Sequence, residues 1–104
     1  MRTVIPYILR MQIRSIRHKG LQGLIEDDDT SGIRQDLVKR VRRVVTALVL
    51  AEDMSKLLAP PGWRIHQLSG GRAGEWSVSV SGNWRITFEV RDDEIWSLSL
   101  EDYH

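Results

Sequence analysis

Asp102-Tyr103-His104 places a carboxylate, a phenol and an imidazole side by side, directly after an apolar, strand-like segment from Glu94 to Leu100. All three groups exchange protons, and the imidazole does so nearest neutral pH. Upstream, Gly82-Asn83-Trp84-Arg85-Ile86-Thr87-Phe88 puts a guanidinium in the middle of a hairpin. Taken singly, the plainer readings are a polar tail and a solvated strand face. Taken together, a proton-transfer group and a rigidly held cation are the parts of an acid–base site.

The elements that must position these groups follow from periodicity. From Trp63 onward the apolar residues recur every second position. Trp76, Val78 and Val80 alternate with serines; Trp84, Ile86, Phe88 and Val90 alternate with Arg85, Thr87 and Glu89; Trp96, Leu98 and Leu100 alternate with Ser97, Ser99 and Glu101. This pattern predicts an antiparallel meander with one apolar and one polar face, and puts Trp76, Trp84 and Trp96 on the apolar face. A three-residue loop, Ser81-Gly82-Asn83, would set Val80 opposite Trp84 and Val78 opposite Ile86, keeping the apolar residues together. Arg85 then stands on the polar face with Ser77, Ser79 and Thr87.

Ahead of the meander, Ile33, Leu37, Val41, Val44, Val45 and Leu48 have the three-and-four spacing of one buried helix face, leaving Lys39, Arg40, Arg42 and Arg43 mostly outside. His18-Lys19-Gly20 opens a shorter helix over roughly Leu21 to Asp28. Met11 to Ser15 alternates as a first strand, and Asp53 to Leu58 forms a helical turn stopped by Pro60-Pro61-Gly62. Residues 1–10 read as a lead-in and residues 11–104 as one α+β domain.

With 104 residues, a single core is expected. The chain has no cysteine, which excludes disulfides and cysteine-based metal sites and fits a reducing compartment. No stretch has the length of a signal-peptide core or a membrane span, so a cytoplasmic protein with no membrane association is the default. The net charge of +1 is unevenly spread. Residues 1–50 carry ten Lys/Arg against five Asp/Glu, and residues 51–104 carry five against nine. A basic half suggests a polyanionic partner, against the plainer alternative of a solvated helix face.

His18-Lys19-Gly20-Leu21, Thr30-Ser31-Gly32, Pro61-Gly62 with Arg64 and His66, Gly74-Glu75-Trp76-Ser77-Val78, the Gly82–Phe88 block and the closing Glu101-Asp102-Tyr103-His104 resemble the HigB toxins, the plasmid maintenance killer branch of the RelE-like toxins. The similarity runs in order from about Met11 to His104. It implies a compact α+β fold, an antiparallel sheet with N-terminal helices on one face. It also implies a ribosome-dependent endoribonuclease that cuts mRNA in the 30S A site. A HigA-type helix-turn-helix antitoxin would neutralise it, and the toxin would reach operator DNA only through that antitoxin. One position departs from the pattern: the family's usual lysine in a Leu-Lys-Gly segment is Ser69 here, so either Arg72 supplies the missing cation or activity is weakened. The alternative function is a catalytically weak or silent RelE-fold module that binds RNA or antitoxin.

RNA cleavage without a cofactor needs a base for the 2′-hydroxyl, cations for the phosphate and an acid for the leaving 5′ oxygen. Arg85 suits the charge role because its planar fork matches phosphate oxygens, and Arg72 is a second candidate. His104 is the main proton-transfer candidate, with Asp102 to orient it and Tyr103 to stack on a base or donate a proton. His66 is a further candidate, set against a purely structural strand histidine. Lys19, Lys39, Arg40 and Arg43 are candidate contacts to ribosomal RNA. No pair among His18, His66 and His104 has metal-ligand spacing, so no metal site is expected.

Overall fold

The computed structural model describes residues 10–102; Tyr103, His104 and the lead-in before Arg10 lie outside the described residues. Helix α1, Lys19–Asp27, begins two residues earlier than its periodicity indicated because His18 caps it. The His18 imidazole Nδ1 accepts a hydrogen bond from the Leu21 N–H at 3.0 Å, satisfying a donor that a helix start leaves unpaired. The glycines of the two flanking motifs meet back to back. A Cβ on Gly20 would fall 2.0 Å from the Gly32 carbonyl oxygen, so neither position has room for a side chain.

Helix α2, Val38–Leu50, follows a short 3₁₀ turn at Gln35–Leu37. Ile33, Leu37, Val41, Val44 and Leu48 are buried, as their spacing predicts, and Val45 is half-buried. Each such side chain contributes about 1.5–3 kcal/mol of transfer free energy. Further 3₁₀ turns lie at Met54–Lys56, capped by Asp53, and at Pro61–Trp63.

Four strands, β1 (His66–Gln67), β2 (Glu75–Ser81), β3 (Trp84–Arg91) and β4 (Glu94–Asp102), form one antiparallel sheet in sequential order. The helices cover its apolar face, where Val78, Val80, Ile86, Phe88, Ile95, Leu98 and Leu100 join the helical residues in one core. The expected first strand is present as a looser element. Residues 11–17 run parallel to β4 through isolated bridges at Ile13–Ile95 and Ile16–Leu98, with Arg14 N–H donating to the Ile95 carbonyl at 2.7 Å. No helix among the described residues is long and apolar enough to cross a membrane.

Two irregularities correct the period-two reading. At the β2–β3 turn, Val78 does face Ile86, but Ser81 and not Val80 pairs with Trp84. A two-residue Gly82-Asn83 loop, with Gly82 at φ +54°, is combined with a bulge between Ser79 and Ser81, which absorbs the extra residue. In β4 a second bulge falls between the Thr87–Ser99 and Glu89–Trp96 pairs, where Ser97 has φ +56° and its N–H donates to Ser15 Oγ at 2.7 Å. The slip brings Ile95 into the core and puts Trp96 opposite Glu89, on the polar face. There the Arg91 guanidinium lies 5.0 Å from its ring. Trp76 and Trp84 pack against the core as expected.

Candidate active site

Because directly opposed residues share a face, the register defines the polar surface: Ser79, Arg85 and Glu101 form one row across β2–β4, and His66, Ser77, Thr87 and Ser99 form the next across β1–β4. On this side His66, Gln67, Leu68, Ser69, Arg72 and Arg85 line a depression of about 360 Å³. The structure therefore brings together three of the chain's candidate residues, His66, Arg72 and Arg85, and sets Ser69, where the sequence resemblance implied a lysine, in the same wall.

His66 is exposed, and its Nδ1 lies 2.9 Å from the Arg64 carbonyl oxygen. A carbonyl only accepts, so Nδ1 carries the proton in this contact and Nε2 of the neutral ring is left as an acceptor. One structural hydrogen bond thus fixes the tautomer that a general base requires. Arg64 is held in the left-handed region, φ 48°, which turns the chain into β1.

Arg72 is bound on two sides. Its Nε and Nη2 donate to Glu75 at 3.0 and 2.7 Å, and its Nη1 and Nη2 donate to Glu101 at 2.8 and 2.6 Å. Thr87 Oγ1, in a fully buried residue, adds a 2.7 Å hydrogen bond to Glu101. Hydrogen bonding from Arg72, and then from Thr87, holds the Glu101 carboxyl far down, at about 2. Glu75 is lowered chiefly by Arg72, while the Arg72 guanidinium is raised by both carboxylates. Arg17 is close enough to lower Glu75 and Glu101 as well. Glu75, Thr87, Glu101 and Arg17 were not legible as site residues: Glu101 is 29 residues from Arg72 in sequence and meets it only through the β3–β4 register.

The remaining candidates lie elsewhere. Asp102 pairs with Trp84 and so takes the other side of the sheet from Arg85, lining a shallow depression with Arg34, Leu37 and Trp84. Lys19, Lys39, Arg40 and Arg43 are exposed on the helices, Arg40 with a 3.2 Å hydrogen bond to the Val80 carbonyl. Tyr103 and His104 follow β4 outside the described residues.

Against known proteins, residues 14–104 match the family described as the RelE-like toxin of type II toxin-antitoxin system HigB. The chain belongs to this family. It is 38% identical over 92 residues to the endoribonuclease HigB of Proteus vulgaris, an alignment covering 88% of this chain and 99% of that protein. Among solved structures it resembles YafQ from E. coli strain BL21(DE3), TM-score 0.59 at 12% identity. It also resembles a histidine-to-glutamine variant of E. coli YafQ, TM-score 0.58 at 13% identity. Each of these alignments covers 88% of this chain and 90% of the other, and at such identities they establish the shared RelE-like fold alone. Family membership makes the protein the toxin of a type II toxin-antitoxin system and implies an antitoxin partner.

Proposed function

We propose that this toxin is an endoribonuclease that cuts mRNA on the ribosome, in the 30S A site, without a metal or organic cofactor, and that a HigA-type helix-turn-helix antitoxin restrains it. The observation that carries the reading is that His66 and Arg85 line one polar depression, with His66 Nδ1 held against the Arg64 carbonyl so that Nε2 is the ring nitrogen left to take a proton. His66 Nε2 takes the proton from the 2′-hydroxyl, which attacks the adjacent phosphorus. Arg85 offsets the charge gathering on the phosphoryl oxygens, and the His104 imidazolium protonates the departing 5′ oxygen. The products are a 2′,3′-cyclic phosphate and a free 5′-hydroxyl. Tyr103 stacks on or protonates the substrate, Asp102 supports the tail, and Lys19, Lys39, Arg40 and Arg43 meet ribosomal phosphates. The 38% identity to a protein named for its endoribonuclease activity supports the same reading.

The test is cleavage mapped in a translating extract. Arg85→Ala and deletion of residues 102–104 should each reduce cutting by on the order of 10²–10⁴-fold while the proteins stay folded. A folded deletion variant that cuts at the wild-type rate would remove the tail from the mechanism.

A weak or silent RNA-binding module is the second reading, favoured by Ser69. The depression holds a hydroxyl where the family's lysine would stand, and Arg72 is already shared between two carboxylates. Under this reading Ser69→Lys, which places an ammonium in the wall beside Arg85, should raise cleavage and growth arrest.

A further inference from the structure

Glu101 stands directly opposite Arg85 across the β3–β4 ladder, on the same face. Opposed residues of an antiparallel pair lie with their Cβ atoms about 4.5–5.5 Å apart, and opposite charges there attract. Left to itself, Glu101 is therefore the natural partner for Arg85 and would cancel the charge meant for the phosphate. The structure shows it engaged elsewhere. Both Glu101 oxygens accept from Arg72, and one also accepts from Thr87. Arg72 is in turn drawn toward β2 by Glu75, so its four carboxylate hydrogen bonds occupy all but one of the five N–H donors a guanidinium has.

We infer that Arg72 is a positioning residue that keeps Glu101 off Arg85, and that it is not a phosphate ligand. Its second task follows from the same contacts. Arg72 closes the short 3₁₀ turn Gly70–Arg72 between β1 and β2, and the clamp fastens that turn across the sheet to β4. The wall carrying His66 and Ser69 is thereby set at a fixed distance from Arg85. The arrangement carries one net negative charge in the clamp itself, with Arg17 on its flank. It explains why a site for a polyanion tolerates two carboxylates: both are held by a cation that has no other work.

This inference rests on the nuclease reading, and a double variant separates the two. Arg72→Ala releases Glu101 toward Arg85 and should lower kcat/KM on the order of 10²-fold, the scale of a misplacement of about 1 Å at a reacting centre. Adding Glu101→Gln removes the released carboxylate, so Arg72→Ala/Glu101→Gln should recover at least about tenfold of that loss. Glu101→Gln alone should lose less than Arg72→Ala, because the amide oxygen still accepts a hydrogen bond from Arg72 and the side chain brings no negative charge toward Arg85. Affinity for a short 2′-O-methyl RNA, which cannot be cut, should follow the same order, so the inference is testable even if the wild-type protein cuts nothing. Absence of wild-type cleavage in a translating extract overturns the nuclease reading alone. If the double variant is as impaired as Arg72→Ala in RNA affinity, with circular dichroism showing both folded, Arg72 is a direct RNA ligand and the inference is wrong.

Discussion

Arg85 projects from the middle of a strand ladder, half-buried and flanked by Ser79 and Glu101, whereas Arg40 and Arg43 project from the outer side of α2 and are exposed. The side chains are chemically the same and their settings are opposite. On the sheet, the backbone on both sides is fixed by cross-strand hydrogen bonds, so the position of the charge is paid for by folding and little is lost when a phosphate arrives. On the helix, long side chains keep their rotamer freedom, and their attraction to a polyanion acts at a distance and is screened by salt. The first setting suits stabilisation of a transition state and the second suits association. Losses at the two regions should therefore appear in different measurements.

The sharpest way to break this comparison is at His66, which shares the depression with Arg85. His66→Ala should reduce the rate of mRNA cutting on the order of 10²–10⁴-fold while leaving ribosome association and its salt dependence as they were. His66→Gln preserves a donor for the Arg64 carbonyl but cannot accept and carry a proton, so it should be nearly as poor. Recovery of wild-type cutting in His66→Gln would mean that the hydrogen bond to Arg64 is the whole role of this residue.

Much of this division was legible in the sequence, and what was not has identifiable causes. The α2 stripe, with Val41, Val44 and Leu48 buried, reports itself because it depends only on local spacing. The polar and apolar faces of β2 and β3 did so for the same reason. Trp96 was assigned to the wrong face because the bulge at Ser97 breaks the alternation. What sustains that bulge is a hydrogen bond to Ser15, 82 residues away, which no local pattern encodes. The same limit hid the Arg72 clamp. Arg72 and Glu75 are near neighbours on the chain, but Glu101 and Thr87 join them only once the β3–β4 register is set. His66 and Arg85 were recognisable as candidates by type; the tautomer of His66 was not, since it depends on the left-handed turn at Arg64. Asp102 was recognisable as a candidate by its adjacency to the terminal histidine, whereas its place opposite Trp84 follows only from the β3–β4 register.

A smaller effect should sharpen the comparison from the helix side. Changing Arg40 and Arg43 together to glutamate should weaken association with 30S subunits and lower the slope of log affinity against log salt by about 2, one for each phosphate no longer neutralised. Thermal stability should change little, because both side chains lie off the buried stripe and Arg40 gives up only a 3.2 Å hydrogen bond to a carbonyl. Cutting of whatever mRNA is engaged on bound ribosomes should proceed at the wild-type rate. An unchanged salt slope would reduce this face to ordinary solvated surface.

The smallest effect concerns stability and contrasts the ion pairs of the two regions. Glu101 has its pKa depressed from an ordinary 4.5 to about 2, chiefly by Arg72, so the folded protein binds this proton less readily than the unfolded chain does. The stabilisation is therefore complete above pH 4.5 and is lost as pH falls from there toward 2. Arg72 is 40% exposed, and this screens the pair, so Glu101→Gln should cost about 1 kcal/mol at pH 7, a fall in Tm of roughly 4–8 °C for a domain of this size. The gap between wild type and variant should narrow below pH 4.5 and be mostly lost by pH 2, where the Glu101 carboxyl is half protonated in the folded protein. On the helix side, Arg42 and Asp28 make an equally short 2.6 Å contact, but with exposures of 48% and 79%. Asp28→Asn should accordingly leave Tm almost unchanged, since water and salt already supply what the pair offers. A Glu101→Gln gap that stayed constant from pH 7 to pH 2 would show that the clamp stabilises through hydrogen-bond geometry alone, and the electrostatic distinction between the two regions would then fail.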